Sequence, residues 1–283
     1  MSYTALISTT ELASHLSDPC WVVVDCRFSL SDPERGERDY LQQHVTGAVY
    51  AHLDRDLSSR VVPGKSGRHP LPEVEPLAQT FGRWGIGLGV QVVVYDDVGG
   101  AIAARLWWLL RWTGHVAVAV LDGGWLAWRN AGLPVVGNAS EASTPKKFLP
   151  DMRPQLLASA ADVLDAHFDH GIQVLDARSA DRFKGENETL DVVPGRIPGA
   201  ISAPYAENLG HDGLFLPALT LRGKFEKLLG GPSDHKAIFY CGSGVTAAHS
   251  LVALAHAGME DGRLYAGSWS EWITDPSRPV ATG

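Results

Sequence analysis

The sequence predicts an α/β protein made of two similar halves, each with a parallel β-sheet flanked by helices. Three observations support this fold class. Short apolar runs that end in polar residues alternate with segments of helical pattern, which is typical of βαβ units. The order of these elements repeats once, with short motifs recurring about 150 residues apart. The length of 283 residues also suits two domains of ordinary size.

In the first half, the sequence predicts helices and strands in alternation. The pattern Ser-Thr-Thr-Glu at residues 8–11 is a capping box that opens a helix through Leu16. Apolar patterns predict strands at residues 21–24, 90–95 and 116–121. They predict helices at residues 73–84 and 101–112. We expect a polar loop between Arg27 and His44, and a second loop, rich in charge and glycine, at residues 54–69.

Four short motifs of the first half recur in order in the second half. Asp25-Cys26-Arg27 is matched by Asp176-Ala177-Arg178. The other matches are residues 45–48 with 197–200, 93–95 with 238–240, and 123–125 with 267–269. Ordered matches with a small drift in spacing indicate a duplication followed by small deletions. We therefore predict one domain over residues 1–137, a linker over 138–155 and a second domain over 156–283.

A glycine-punctuated loop with one cysteine at its head follows the strand predicted at residues 237–240. The loop sequence is Cys-Gly-Ser-Gly-Val-Thr, and residues 247–256 predict a helix closed by Gly258. Gly242 and Gly244 allow the backbone to curl so that successive N–H groups point inward, and such a nest before a helix binds anions. A thiol at its centre ionises more easily than a free thiol. The sequence therefore predicts a thiolate nucleophile at Cys241.

The first half carries Asp96 at the position of Cys241. A carboxylate cannot act as a thiol nucleophile, so we predict that the first half is a catalytically silent copy. We expect it to supply packing surface and side chains to a shared cleft. The arginine of the Asp-x-Arg motif recurs in both halves, as Arg27 and Arg178, including the half predicted to be silent. We therefore interpret these arginines as structural partners of Asp25 and Asp176.

Composition and charge exclude several function classes. The net charge of −8 gives no support for nucleic acid or an anionic membrane as a partner. No apolar run approaches the roughly 20 residues of a membrane span, and the first residues lack the pattern of a signal peptide. Cys20, Cys26 and Cys241 form neither a CxxC motif nor a metal-ligand spacing. We therefore expect no metal, no other cofactor and a reducing compartment such as the cytoplasm.

These motifs resemble those of the two-domain rhodanese-type sulfurtransferases. The resemblance rests on Asp-x-Arg, Gly-x-Ile-Pro-Gly-Ala, Cys-Gly-Ser-Gly-Val-Thr-Ala and Gly-Gly-Trp or Gly-Ser-Trp, and it covers nearly the whole chain. Residues 241–247 are similar to the loop of the 3-mercaptopyruvate sulfurtransferase branch. The resemblance implies two rhodanese-like domains, a persulfide intermediate on Cys241 and a small-molecule sulfur donor. It also implies release of pyruvate and transfer of the sulfur to a thiol, cyanide or a thioredoxin-like protein.

The resemblance extends to residues that bind the substrate. The segment 176–183 is similar to the one that carries an arginine for the substrate carboxylate, which falls on Arg182. The family usually has a second arginine before the Gly-His-Ile-Pro-Gly turn, but residues 186–191 contain none. Arg196 stands where the family often has the histidine of that turn. We hypothesise that Arg196 supplies the missing cation.

A proton relay is implied by the same resemblance. Asp54 and His69 resemble the aspartate and histidine that join the loop serine, here Ser243, in a Ser–His–Asp relay. The backbone N–H groups of the loop would bind the developing persulfide anion. The residues that supply them are Gly242, Ser243, Gly244, Val245 and Thr246.

Loop charge favours one donor over another. Thiosulfate is a small dianion that a cationic loop binds best, and residues 242–247 contain no Lys or Arg. We therefore favour 3-mercaptopyruvate, whose carboxylate Arg182 can bind, and expect slower turnover of thiosulfate. The alternatives are a thiosulfate sulfurtransferase and a non-enzymatic persulfide carrier or interaction module.

A cysteine-dependent phosphatase is a further alternative. That chemistry needs an arginine six residues after the cysteine, and Ala247 stands there instead.

Because two fused halves bury their shared face within one chain, we expect a monomer.

Overall fold

The computed structural model describes residues 2–140, 144–166, 169, 171–231, 236–259 and 262–283. The chain divides into two compact units. The first comprises Met1–Ser59, Leu71–Arg153 and His211–Phe215, and the second comprises Arg60–Pro70, Pro154–Gly210 and Leu216–Gly283. Each unit thus contains a short segment from the other half of the sequence. The linear domain boundaries at residues 137 and 156 stay a prediction.

The first unit contains a five-stranded parallel sheet with the strand order β1-β6-β5-β2-β4 and an antiparallel pair, β3 with β7. The strands are β1 (Leu6–Ile7), β2 (Trp21–Asp25), β3 (His44–Val45), β4 (Val49–Tyr50), β5 (Gln91–Tyr95), β6 (Val118–Leu121) and β7 (Val135–Val136). The helices are α1 (Thr9–Ser14), α2 (Arg35–Gln42), α3 (Leu53–Asp56), α4 (Val74–Arg83), α5 (Ala103–Trp112) and α6 (Gly124–Asn130).

The second unit contains a five-stranded parallel sheet with the order β10-β9-β11-β12-β8. The strands are β8 (Leu157–Ala158), β9 (Ile172–Asp176), β10 (Ile201–Ser202), β11 (Lys236–Tyr240) and β12 (Gly262–Tyr265). The α-helices are α7 (Ala160–Ala166), α8 (Ala180–Lys184), α9 (Ala218–Leu228), α10 (Thr246–His256) and α11 (Ser268–Trp272), and 3₁₀ turns span Pro154–Leu156 and Tyr205–Asn208.

The predicted fold class is confirmed, with a parallel sheet and helices in each unit. The predicted strands and helices lie within two residues of the observed ones. Ser8 is the N-cap of α1, since its Oγ accepts the N–H of Glu11 at 3.2 Å. The residues after Gly258, which has a φ of 73°, no longer belong to α10, as the glycine signal predicts.

Two polar segments expected to be loops contain helices. The helix α2 lies between Arg27 and His44, and α3 begins at Leu53. The sequence of α2 is polar throughout most of its length, but Tyr40 is buried and its hydroxyl donates to the carbonyl of Ala48 at 2.8 Å. One buried tyrosine therefore anchors a helix that apolar periodicity does not reveal.

The two sheets share one register at their central strands. Tyr95 of β5 pairs with Asp25 of β2, and Tyr240 of β11 pairs with Asp176 of β9. In each unit the aspartate forms a buried ion pair with the arginine two residues later. The N–O distance is 2.6 Å both for Arg27 with Asp25 and for Arg178 with Asp176. The predicted structural role of these arginines is confirmed.

Among the residues that the structure describes, no helix combines the length and the apolar character that a membrane crossing requires. Within the same residues, no group of three or more His, Cys, Asp or Glu side chains is arranged to hold a metal ion.

Candidate active site

Cys241 lies directly after β11, at the carboxyl end of a central strand of the second sheet. Its side chain is buried, with 2% of the residue exposed, and the N–H of Gly244 donates to its Sγ at 3.2 Å. Gly244 has a φ of +75°, and a Cβ at this position would overlap the carbonyl of Ala266. A glycine is therefore required for the loop to turn its amides toward the sulfur.

The loop favours the thiolate form of Cys241. Burial opposes ionisation of the thiol, but hydrogen bonds from the side chain of Thr246 and from the N–H groups of Ser243, Ala247 and Gly244 outweigh burial and lower the pKa of Cys241. A buried sulfur surrounded by hydrogen-bond donors has the surroundings that favour a thiolate over a neutral thiol. The geometry thus supports the predicted nucleophile.

Both backbone groups of Cys241, its N–H and its carbonyl, are hydrogen-bonded. The N–H of Cys241 donates to Ser268 Oγ at 3.0 Å, and its carbonyl accepts the N–H of Trp269 at 3.0 Å. Ser268 has a left-handed φ of 54°, which directs its hydroxyl toward the strand end, and the hydroxyl itself donates to the carbonyl of Tyr265 at 2.9 Å. The Gly-Ser-Trp motif therefore fixes the position of Cys241.

Ser243 and His69 lie together. The Oγ of Ser243 is 2.7 Å from Nδ1 of His69, and both side chains are buried. His69 belongs to the segment Arg60–Pro70, which is part of the second unit although it lies in the first half of the sequence. Asp54 lies in α3 of the first unit, so its place in the relay stays a prediction.

Arg182, in α8, lies beside the cysteine loop. Its Nη2 is 2.9 Å from Glu188 and 3.1 Å from Asp191, so its guanidinium is held by two carboxylates. A Cβ built on Gly242 would lie 3.5 Å from the same Nη2. The cation predicted to bind the substrate carboxylate thus lies beside Gly242, the residue after Cys241.

Arg196 makes different contacts. Its backbone pairs with that of Ala281, with N–O distances of 2.8 and 3.0 Å, and its guanidinium lies 4.6 Å over the ring of Phe183. Its Nη1 is buried without a hydrogen-bond partner among the described residues. The role of Arg196 as a second substrate cation stays a prediction.

Arg68, which none of the sequence motifs indicates, also lies beside the loop. A Cβ built on Gly242 would lie 2.7 Å from Nη2 of Arg68, closer than any atom of Arg182. Its Nη1 forms an ion pair with Asp191. Its position directly before His69 is the one signal that could have singled it out.

The segment 186–191, which lacks the second arginine of the family, supplies carboxylates instead. Glu188 contacts Arg178 at 3.4 Å and Arg182 at 2.9 Å, and Asp191 contacts Arg182 and Arg68. Burial opposes ionisation of Glu188, but the guanidinium of Arg182 and two backbone N–H groups lower its pKa. Acids and arginines thus alternate in one series of ion pairs that begins in the core and ends, partly exposed, beside the cysteine loop. The order is Asp176, Arg178, Glu188, Arg182, Asp191 and Arg68.

Comparisons with known proteins give one family. The model of the rhodanese-like domain matches residues 8–131 and 159–275. A probable 3-mercaptopyruvate sulfurtransferase of Pseudomonas aeruginosa is 49% identical over 100% of both chains. A putative thiosulfate sulfurtransferase, SseB, of Mycobacterium tuberculosis is 42% identical over 98% of this chain and 97% of that protein.

Solved structures give the same result. The 3-mercaptopyruvate sulfurtransferase from Leishmania major is similar with a TM-score of 0.84 and 31% identity, over 95% of this chain and 74% of that chain. SseA from Escherichia coli, described as a 3-mercaptopyruvate sulfotransferase with the rhodanese fold, has a TM-score of 0.80 and 31% identity, over 95% of this chain and 100% of that chain.

Proposed function

Because the chain belongs to the rhodanese-like family, with one domain in each half, we propose that it is a sulfurtransferase that uses 3-mercaptopyruvate as its sulfur donor. The single observation that carries this proposal is the position of Cys241 at the end of β11, where its buried sulfur accepts the N–H of Gly244 inside a glycine-containing loop. The name of a full-length relative indicates 3-mercaptopyruvate as the sulfur donor. The arginines beside Gly242 are cations that can bind the carboxylate of this donor.

The proposed first half-reaction is an attack of the Cys241 thiolate on the sulfur of 3-mercaptopyruvate. A sulfur–sulfur bond forms, and the bond between that sulfur and the methylene carbon breaks. The electron pair of the broken bond leaves with the carbon fragment as the enolate of pyruvate. The enolate takes up the proton that the donor thiol carried, which gives pyruvate and leaves a persulfide anion on Cys241.

Ser243 and His69 are proposed to move that proton. A hydroxyl 2.7 Å from an imidazole nitrogen can take a proton from the donor thiol and return it to the enolate carbon. Asp54 is proposed to orient the imidazole. The N–H groups of the loop, among them that of Gly244, are proposed to stabilise the persulfide anion that replaces the thiolate.

The second half-reaction transfers the outer sulfur to an acceptor. A thiol, which can be a small molecule or a thioredoxin-like protein, becomes a persulfide, and cyanide becomes thiocyanate, while Cys241 returns to its thiolate. Such a sequence is a double-displacement mechanism through a covalent intermediate. We propose that the protein works as a monomer in the cytoplasm, where its three free cysteines stay reduced.

Mass spectrometry tests the proposal directly. The protein is incubated with 3-mercaptopyruvate without an acceptor, and the released pyruvate is measured in the same sample. We expect one sulfur atom gained on Cys241 for each pyruvate released, and no gain in Cys241→Ser. A wild-type protein that releases no pyruvate would contradict the proposed donor.

Thiosulfate is a second candidate donor. The Mycobacterium tuberculosis relative carries that name, and two guanidinium groups from outside the loop lie over Gly242 although the loop itself contains no cation. A comparison of kcat/KM for the two donors decides between them. We expect the larger value for 3-mercaptopyruvate, because Arg182 and the Ser243–His69 pair match a carboxylate donor whose leaving group needs a proton.

A non-enzymatic persulfide carrier is the remaining alternative. It predicts that the persulfide forms slowly with small donors and passes only to a specific protein. Multiple turnovers with 3-mercaptopyruvate and a small thiol would exclude it.

A further inference from the structure

A polar cleft of about 470 Å³ lies at the carboxyl end of the first sheet. Its wall includes Arg27, Asp97 and Trp125, which follow the three neighbouring strands β2, β5 and β6, respectively. Ligands of open α/β sheets bind at this edge, because the loops after parallel strands meet there. The described residues that line the cleft all belong to the first unit, and the proposed reaction uses none of them.

Two of the arginines in the wall of the cleft are neutralised by carboxylates. Arg27 forms the buried ion pair with Asp25. Arg35 contacts two carboxylates, that of Asp39 at 2.9 Å and that of Asp97. Arg35 therefore has one carboxylate more than its charge requires.

Arg129, a third arginine of the wall, forms no ion pair among the residues that the structure describes. Its Nη1 donates to the side-chain carbonyl of Gln43 at 2.5 Å, and its guanidinium lies 5.4 Å from the centre of the Trp125 ring. Both contacts are with neutral groups, so the positive charge of Arg129 is available to an anionic group of a ligand.

Asp97 supplies the opposite charge. Its Oδ2 accepts a hydrogen bond from Arg35, but its Oδ1 is buried and has no hydrogen-bond partner among the described residues. A buried carboxylate oxygen without a donor costs free energy unless a ligand N–H group satisfies it. Since Asp97 and Asp39 together carry one negative charge more than Arg35 neutralises, a cationic donor fits best.

We propose that this cleft binds a small zwitterion, an amino acid with a polar side chain, with its ammonium group at Asp97 and its carboxylate at Arg129. This site is separate from Cys241 and does not depend on sulfur transfer. Among the described residues Arg129 lacks a carboxylate and Asp97 Oδ1 lacks a donor, so a ligand with a single charge leaves one of them unmatched. The amide side chains of Gln42 and Gln43 in the wall favour a polar side chain on the ligand.

Asp97 also distinguishes this cleft from the surroundings of the cysteine loop. The match of residues 93–95 with 238–240 aligns Asp97 with Gly242, beside which Arg68 and Arg182 lie. A carboxylate at this position repels an anion, whereas the arginines beside Gly242 attract one. An acid without an ammonium group therefore fits the cleft of the first unit poorly.

Isothermal titration calorimetry of the full chain with L-glutamine and two analogues tests the proposal. Glutaramate lacks the ammonium group of L-glutamine, and 4-aminobutanamide lacks its carboxylate. We expect L-glutamine to bind the wild type at least about 10-fold more tightly than either analogue, because only L-glutamine satisfies both Asp97 and Arg129.

Two variants assign the two ends of the ligand. Arg129→Gln should weaken binding of L-glutamine about 10- to 100-fold without weakening that of 4-aminobutanamide. Asp97→Asn should weaken binding of L-glutamine by a similar factor without weakening that of glutaramate. The matched controls are Arg111→Gln, which removes an arginine 4.8 Å over the ring of Trp107, and Asp32→Asn, which removes an exposed aspartate paired with an arginine. Both controls lie outside the cleft and should change no binding constant.

The proposal is overturned if L-glutamine does not bind at millimolar concentrations, or if glutaramate or 4-aminobutanamide binds the wild type as tightly. It is also overturned if each variant weakens all three ligands equally, because Asp97 and Arg129 then only support the shape of the cleft. If a variant does not fold, the comparison of the three ligands on the wild type decides. The result is separate from that of the proposed function, since Cys241→Ser should bind L-glutamine as the wild type does.

Discussion

The loops after the central strands β5 and β11 stand at equivalent positions in the two units and carry different side chains. In the first unit the carboxylate of Asp96 accepts four backbone N–H groups of its own loop, at 2.7–2.9 Å, from Val98, Gly100, Ile102 and Ala103. In the second unit the sulfur of Cys241 occupies the equivalent position and accepts the N–H of Gly244. The first loop thus directs four backbone N–H groups at one carboxylate, as an anion-binding nest does.

The comparison also separates the contacts that both units share, which form a common structural frame, from the residues of the candidate site. Both units contain an Asp–Arg ion pair with the arginine over a tryptophan ring, at 4.4 Å for Arg27 over Trp125 and 4.8 Å for Arg178 over Trp269. An ion pair and a cation–π contact that occur in both units serve the fold. In the second unit a thiol stands in the loop, and Arg182 and Arg68 lie beside Gly242. The thiol and these cations carry the proposed chemistry.

The strongest test of this comparison converts the second loop into the first. In Cys241→Asp we expect sulfur transfer from 3-mercaptopyruvate to fall by at least about 10⁴-fold, since no thiolate remains. The carboxylate can accept the loop N–H groups as Asp96 does, so the variant should stay folded. Pyruvate release and circular dichroism measure the two effects. Cys26→Ser is the control for removal of another buried cysteine, and activity surviving in Cys241→Asp would contradict the assigned nucleophile.

The reverse test empties the loop of the first unit. Asp96→Ala leaves buried N–H groups without an acceptor, and we expect a loss of about 3 kcal/mol or more in the free energy of unfolding of that unit. Urea denaturation followed by tryptophan fluorescence measures it. Glu75→Gln, at an exposed site in α4, is the control for loss of a carboxylate. An Asp96→Ala protein as stable as the wild type would show that the carboxylate does not hold the loop.

A smaller effect is expected when the relay is removed. In Ser243→Ala, kcat for 3-mercaptopyruvate should fall about 100-fold, because the proton no longer passes between the donor thiol and the enolate carbon. Thiosulfate turnover should fall less, since its leaving group, sulfite, departs without a proton. His69→Gln should show the same donor dependence. An equal fall with both donors would assign the pair to loop support rather than to proton transfer.

The sequence predicts the frame well because the frame is built from apolar periodicity. The strand β5 is buried along its whole length, and its apolar sequence indicates this directly. The helices α2 and α3 were missed because polar residues dominate them and one or two buried contacts hold them in place. Local pattern cannot report such tertiary anchors.

The residues of the candidate site that belong to a sequence motif can be predicted. Those that only tertiary packing brings to the site cannot. The cysteine loop contains its own sequence signal, and Cys241, Ser243 and Gly244 are predicted from it. Arg68 was missed because no local pattern shows that the segment Arg60–Pro70 belongs to the second unit. Segment 186–191 was noted for lacking an arginine, whereas its function in the structure is to supply Glu188 and Asp191 as partners for arginines.

The smallest predicted effect concerns the two buried cysteines, which follow central strands of the two sheets and ionise differently. Burial and the charges of Asp25, Asp96 and Asp56 raise the pKa of Cys26 well above the usual value, whereas the loop donors lower that of Cys241. A lowered pKa keeps the thiolate present at lower pH, and alkylation declines only as the pH falls through that pKa.

We therefore expect iodoacetamide to modify Cys241 near neutral pH while Cys26 resists, with exposed Cys20 replaced by serine to simplify the digest. Thr246→Val removes the first of the hydrogen bonds that favour the thiolate, and should move the alkylation profile of Cys241 to higher pH by up to about one unit. Peptide mass spectrometry across a pH series measures the profile. If the profile of Cys241 matched that of a free thiol in both proteins, the loop would not activate the sulfur, and the contrast between the two units would reduce to the identity of one side chain.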